Sequence, residues 1–297
     1  MKRLTIAAFF LSSAVLMGQG VLGVGNFIHV VANLDRSIEF YRDGLGLEMT
    51  GAPGPRAFSA NAVVSSLYDA PGEQSRVASF KIPGSQMAVE IVEFQGLNAT
   101  PVRPRFFDPG AITLTLPVKD LEEVETRLHR IKGLEWISAS MGVVTVSDPD
   151  RIFVALMQPR PGRAGGPAPT PPPHLGVTVE DVKSTVQLYL NALGFTGNSS
   201  PTRASLRVPG DAFQVDFTAP NYADRKAVRS AIHDPGSGVL RLRVDDFDAV
   251  VKALKAEGAT VVSAGGEAVN LGRNRAVILR DRNNFFVQVL ESVPAAK

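Results

Sequence analysis

The chain has 297 residues, room for about two ordinary domains. Its 44% hydrophobic and 20% charged content excludes global disorder. The formal charge is +2, and setting aside Lys2 and Arg3 leaves 29 basic residues against 29 acidic ones, so no electrostatic footprint for nucleic acid exists. There is no cysteine, which excludes disulfides and thiol chemistry.

Residues 1–23 read as a signal peptide. Lys2 and Arg3 form a basic start, and Leu4 to Met17 an apolar stretch too short for a membrane span. Gly18, Gly20 and Gly23 follow, where a peptidase could cut. The expectation is export to the periplasm or the outside, with no membrane contact after cleavage; an uncleaved N-terminal anchor is the alternative.

From residue 24 the chain alternates strands and helices. A strand at Asn26–Val31 runs into a helix of 3.6 periodicity at Leu34–Gly44. An inserted stretch follows, in which Asn61 to Tyr68 reads as a short amphipathic helix. Strands come next at Arg76–Ile82, Ala88–Phe94 and Ile112–Val118, then a helix at Leu121–Ile131 stopped by Gly133. Strands at Gly142–Ser147 and Ile152–Met157 close this half. The Pro/Gly/Ala-rich stretch 159–173 cannot bury a face and reads as a spacer. The second half repeats the order: strand His174–Val179, helix Val182–Leu193, strands Ala204–Val208, Phe213–Thr218 and Val239–Val244. Helix Phe247–Glu257, then Gly258, then strands Ala276–Arg280 and Phe286–Leu290 complete it, with a tail at 293–297.

The halves repeat residue by residue. Val31 through Leu47 aligns with Val179 through Phe195 at an offset of 148. Pro83-Gly84, Glu90, Asp108-Pro109-Gly110 and Asp120 align with Pro209-Gly210, Asp216, Asp234-Pro235-Gly236 and Asp246 at an offset of 126. The 22-residue difference places an insertion between Gly46 and Pro83 of the first half. Each half also repeats internally, so the unit is βαβββ, used four times.

The strings NLDRSIEFYRDGLGLE, VEDVKSTVQLYLNALGF and DPDRIFVALMQP resemble the opening and closing signatures of the vicinal oxygen chelate superfamily, which includes glyoxalase, bleomycin-resistance and dioxygenase proteins. The resemblance implies an α+β fold in which four βαβββ units form two tandem cup-shaped modules, one from 24–158 and one from 174–292. It also implies metal-ligand positions at the start of each unit's first strand and on its last strand. Those positions hold Asn26, Glu90, Thr113 and Ala155 in the first module, and His174, Asp216, Val239 and Gln288 in the second. A non-haem iron site wants two histidines and a carboxylate, which neither set supplies. No complete metal site is therefore expected; His174, Asp216 and Gln288 are the residues left for a divalent ion. Strand phase places His29 on the helix side as a structural residue, unless a bulge turns it inward.

If Val239 faces the second cup, so do Arg241 and Arg243. They would join His174, Thr178, Asp216 and Gln288 around one cavity and hold a small anionic or polar organic ligand. The alternative is that they pair with Asp216 and fill the cup. In the first cup Glu90 would be the lone charge, a candidate general base or a structural carboxylate. Three functions remain open: a metal-independent binder of a small molecule, a lyase, isomerase or dioxygenase with a degenerate metal site, and a scaffold. Nothing in the pattern excludes a homodimer.

Overall fold

The computed structural model describes residues 20–51, 57–140, 142–159 and 172–292. Most of the expected signal peptide, residues 160–171 of the expected spacer, and the tail 293–297 lie outside the described residues.

The first unit opens with β1, Val21–Val31. Helix α1 follows, α-helical at Leu34–Ile38 and continuing as a π-helical turn at Glu39–Gly44. Then come β2 (Met49–Thr50), β3 (Ser59–Ala60), α2 (Ala62–Leu67), β4 (Gln74–Lys81) and β5 (Ala88–Gln95). The second unit is β6 (Ile112–Pro117), α3 (Leu121–Leu128), β7 (Glu135–Ser140), β8 (Val143–Ser147) and β9 (Phe153–Met157). The third is β10 (His174–Thr178), α4 (Val182–Leu193), β11 (Thr196–Ser199), β12 (Arg203–Arg207) and β13 (Gln214–Thr218). The fourth is β14 (Gly238–Val244), α5 (Phe247–Ala256), β15 (Thr260–Val261), β16 (Val269–Asn270), β17 (Arg275–Arg280) and β18 (Phe286–Glu291). Edge strands β7 and β11 escape the pattern because their residues are mostly exposed and show no apolar alternation.

The same cap begins the main helix of every unit. Asn33, Asp120, Asp181 and Asp246 each accept a hydrogen bond from the backbone N–H three residues on, at 3.0, 3.0, 2.7 and 3.1 Å. Each cap satisfies an otherwise orphaned N–H and contributes about 1 kcal/mol. Beyond the cap, an apolar stripe docks on the sheet: Val182, Val186, Tyr189 and Leu193 on α4 are all buried.

The sheets pair the units differently from the sequence expectation. Sheet A runs β15-β17-β18-β14-β1-β5-β4-β2, with β16 on β17 and β3 on β4, and so joins the first unit to the fourth. Sheet B runs β11-β12-β13-β10-β6-β9-β8-β7 and joins the second to the third. Neither half closes its own cup, which corrects the assignment of one cup to 24–158 and the other to 174–292. Helices keep the sequence pairing: the π-helical part of α1 packs on α3, and α4 packs on α5. Strands and helices therefore tie the units together in two different ways. The helix-facing residues of both sheets, among them Phe27, Leu114, Leu175 and Leu240, share one core with the helices.

The start of the described chain also joins sheet A. Val21 pairs with Val244 and Gly23 with Arg243, and the Asp245 N–H donates to the Gly20 carbonyl. Residues 20–23 thus belong to the fold, and the boundary of the expected signal peptide at Gly23 cuts through β1.

Candidate functional site

Strand phase decides which side chains meet on the helix-free face of each sheet. In sheet B, Leu175 and Val177 of β10 point into the shared core, which sends His174, Gly176 and Thr178 to the other side. Gly176 pairs with Thr113 on one neighbour and with Asp216 on the other. Having no side chain, it leaves a space that His174 and Asp216 border, with Nε2 3.8 Å from Oδ2. Their side chains are 23% and 33% exposed. The other carboxylate oxygen, Asp216 Oδ1, is buried and has no hydrogen-bond partner among the described residues. A buried acceptor left unmatched costs about 1–3 kcal/mol, so this oxygen calls for a donor. Thr178 lies at the end of the face, its Oγ1 donating to the Phe106 carbonyl at 3.4 Å, beneath the segment that seats Phe106 on Phe153.

Sheet A brings a different set together. Asn26 Nδ2 donates to Glu90 Oε2 at 3.1 Å, and the Arg241 guanidinium reaches both Glu90 oxygens at 3.3 Å. Arg241 Nε donates to Gln288 Oε1 at 2.8 Å. Gly25 lies against the network: a Cβ there would stand 3.0 Å from the Arg241 Cγ and Cδ, and the arginine would have to shift. Glu90 is thus not the isolated carboxylate the sequence suggests. Its partner comes from the fourth unit, because the first and fourth units share a sheet. For the same reason Arg241, Arg243 and Gln288 do not join His174, Thr178 and Asp216: the six expected ligand-binding residues fall on two sheets. Arg243 has the expected phase but is exposed.

The centre of the sheet A face is filled. Helix α2, capped by Asn61, lies against β16 and β17. Leu67, Tyr68, Ala70 and Ile232 pack with Ile28, Val239, Ile278 and Phe286 into a second apolar cluster. Ser263 Oγ donates to the Leu67 carbonyl at 3.1 Å and holds this plug down. The Tyr68 hydroxyl is carried into the cluster without a hydrogen-bond partner among the described residues. Burial, with the nearby Glu90 charge and against that of Arg241, raises its pKa.

The donor sets do not fit a divalent metal. In sheet A the one carboxylate is held by a permanently charged guanidinium, which stands where a second cation would have to approach. The other positions there are Asn26, Val239 and Gln288. In sheet B His174 and Asp216 supply two donors, and the positions that would complete the set hold Thr113 and Ala155.

His29 sits on the helix side, fully buried, with Nε2 2.8 Å from Asp148 Oδ2 and Nδ1 3.3 Å from the Ser237 carbonyl. Tyr41 donates to the same Asp148 oxygen at 3.0 Å. Burial lowers the His29 pKa, but the charge and hydrogen bond of Asp148 outweigh it and leave the imidazole raised. The third unit repeats the motif without the histidine: Tyr189 donates to Asp281 at 3.1 Å, and burial raises both groups. The acids open the strings DPDRIF and DRNNFF, each a turn with one residue at positive φ, Arg151 and Asn284. That shared turn was the available signal for two buried acids that sequence reasoning passed over.

Residues 173–277 match the family model of the Glyoxalase/Bleomycin resistance protein/Dioxygenase superfamily. No curated protein matches the chain in sequence. Among solved structures, the chain is similar to glyoxalase I from Zea mays, at 16% identity and a TM-score of 0.58 over 92% of each chain. A variant of that maize enzyme gives 0.59 at 14% identity, over 92% of this chain and 94% of its own. A putative dioxygenase from Bacillus subtilis gives 0.57 at 16% identity, over 93% of this chain and 87% of its own. These likenesses run through both sheets, and at such identities they establish the fold alone.

Proposed function

This chain has the two-module fold of the vicinal oxygen chelate superfamily, and from that premise we propose that it binds a small polar organic molecule in the cup of sheet B without a resident metal. The observation that carries the reading is the unpartnered Asp216 Oδ1 beside His174, in the space Gly176 leaves open. A ligand hydroxyl or amine donating to that oxygen would satisfy it, and His174 stands beside it to contribute a second hydrogen bond. The cup of sheet A has a structural role: its centre is filled by the plug, and its carboxylate is matched by Arg241.

A thermal-shift screen of small hydroxylated and amino compounds, run with a chelator present, tests this. Compounds that stabilise the protein should lose their effect in Asp216→Asn and His174→Gln and keep it in Glu90→Gln. If the protein instead holds stoichiometric zinc, nickel, iron or manganese that His174→Ala removes, a metal-assisted lyase, isomerase or dioxygenase replaces this reading.

Export is part of the same proposal, on the strength of Lys2, Arg3 and the apolar run Leu4–Met17. Since Gly20 already belongs to the fold, cleavage is expected before it. N-terminal sequencing of the protein recovered from cells checks both points.

A further inference from the structure

A cavity of about 320 Å³ lies at the outer end of the sheet A face, away from both ligand positions discussed above. It is at the small end of the range for ligand pockets. Its lining is mixed: Val261 and Val262 are half-buried there, and Phe286 and Ile232 lie buried beneath. Its border carries two full charges, Arg280 and Asp69. Arg280 makes no ion pair among the described residues, and neither does Asp69. By contrast, Arg76, Arg105, Arg151, Arg241 and Arg275 each form an ion pair.

The charges are held in place by different parts of the fold. Arg280 follows Ala276 and Ile278 on the same side of β17, and both of these are fully buried, so its position is set by strand phase. Asp69 belongs to the plug, which is pinned from below. Ser263 holds the Leu67 carbonyl, and His233, which also lines the cavity, places Nδ1 3.2 Å from the Tyr68 carbonyl. Asp69 has a φ of 45°, a left-handed conformation that Asp and Asn tolerate better than other side chains. An unlike pair of charges that border one cavity without meeting is complementary to a molecule carrying both charges itself.

We propose that this cavity is a binding site for a small zwitterion of the amino-acid type, its carboxylate held by Arg280, its ammonium by Asp69 and its apolar side chain against Val261 and Val262. Arginine suits the first role because its planar fork matches a carboxylate through two parallel hydrogen bonds. The site does not depend on the sheet B reading.

Calorimetric titration of the full chain with L-valine tests it, with isobutyrate and isobutylamine as the two half-charged analogues. Saturable L-valine binding is expected, tighter than either analogue. Arg280→Gln should weaken L-valine by about ten- to a hundredfold, the loss of one charged hydrogen-bonding partner. Asp69→Asn keeps the left-handed turn and should bring L-valine down to the affinity of isobutyrate. Loss of L-valine binding in Asp216→Asn but not in Arg280→Gln would place it in the sheet B cup and overturn the proposal. Absence of saturable L-valine binding, equal binding in Arg280→Gln of wild-type thermal stability, or isobutyrate binding as tightly as L-valine would each overturn the proposal.

Discussion

The His29 imidazole and the Asp148 carboxylate face each other across 2.8 Å, both fully buried, and join a strand of sheet A to the β8–β9 turn of sheet B. The pair spans the core that both sheets share. Because the folded pKa of His29 is raised above its ordinary 6.5, the pair's stabilisation is complete below about that pH and is lost as pH rises through the folded value. Urea denaturation across pH 5 to 9, taken as about the measurable range, should show this loss on the alkaline side. Asp148→Asn should cost about 1.5–3 kcal/mol at low pH and flatten the profile. A variant with the wild-type pH profile would remove the pair from the account.

Arg241 and Glu90 come from opposite halves of the chain, 151 residues apart, and meet in sheet A. Arg241→Leu leaves Glu90 with only Asn26 to match it and should destabilise the protein by about 1.5–3 kcal/mol. The double variant with Glu90→Gln should recover most of that loss, because the uncompensated charge goes with it. Additive losses in the double-mutant cycle would show that the two side chains do not act as a pair.

Tyr68 presents the opposite case. Its ring fills the cup of sheet A, 5.2 Å from Phe94, while its hydroxyl is buried without a partner. Tyr68→Phe keeps the ring and deletes the unmatched group, so the melting temperature should stay level or rise, by a stability gain of up to about 1–2 kcal/mol. A clear fall would mean that the hydroxyl is hydrogen-bonded in solution.

The exchange of units between the halves is directly testable because the chain has no cysteine of its own. A Cβ at Gly176 would lie 3.5 Å from the Thr113 Cβ, within about the 3.5–4.5 Å spacing a disulfide requires. Thr113→Cys with Gly176→Cys should therefore oxidise readily, and peptide mapping should recover a cross-link between the second and third units. Failure to cross-link under oxidising conditions would argue against their shared sheet.

Local structure was largely legible in the sequence. The βαβββ unit and the face each strand residue takes follow from alternation alone. His29 was correctly placed on the helix side by phase. What the sequence did not reveal was which units share a sheet. The pairing of β1 with β14 and of β6 with β10 depends on contacts between distant strands that carry the same apolar pattern, so any of the four units could pair with any other. That one ambiguity misplaced Arg241 and Gln288 beside His174 and left Glu90 without its arginine. The insertion reads as a short helix in the sequence, but the cup it fills follows only from the pairing of the first and fourth units.

The central claim is that sheet B holds a small-molecule site built on Asp216 and His174 and independent of metal. The most direct measurement is a crystal structure of the chelator-treated protein soaked with the best stabilising compound from the thermal-shift screen. The account predicts a ligand donor within hydrogen-bonding distance of Asp216 Oδ1, in the space above Gly176. A compound bound elsewhere, with Asp216 Oδ1 still unmatched, would contradict it.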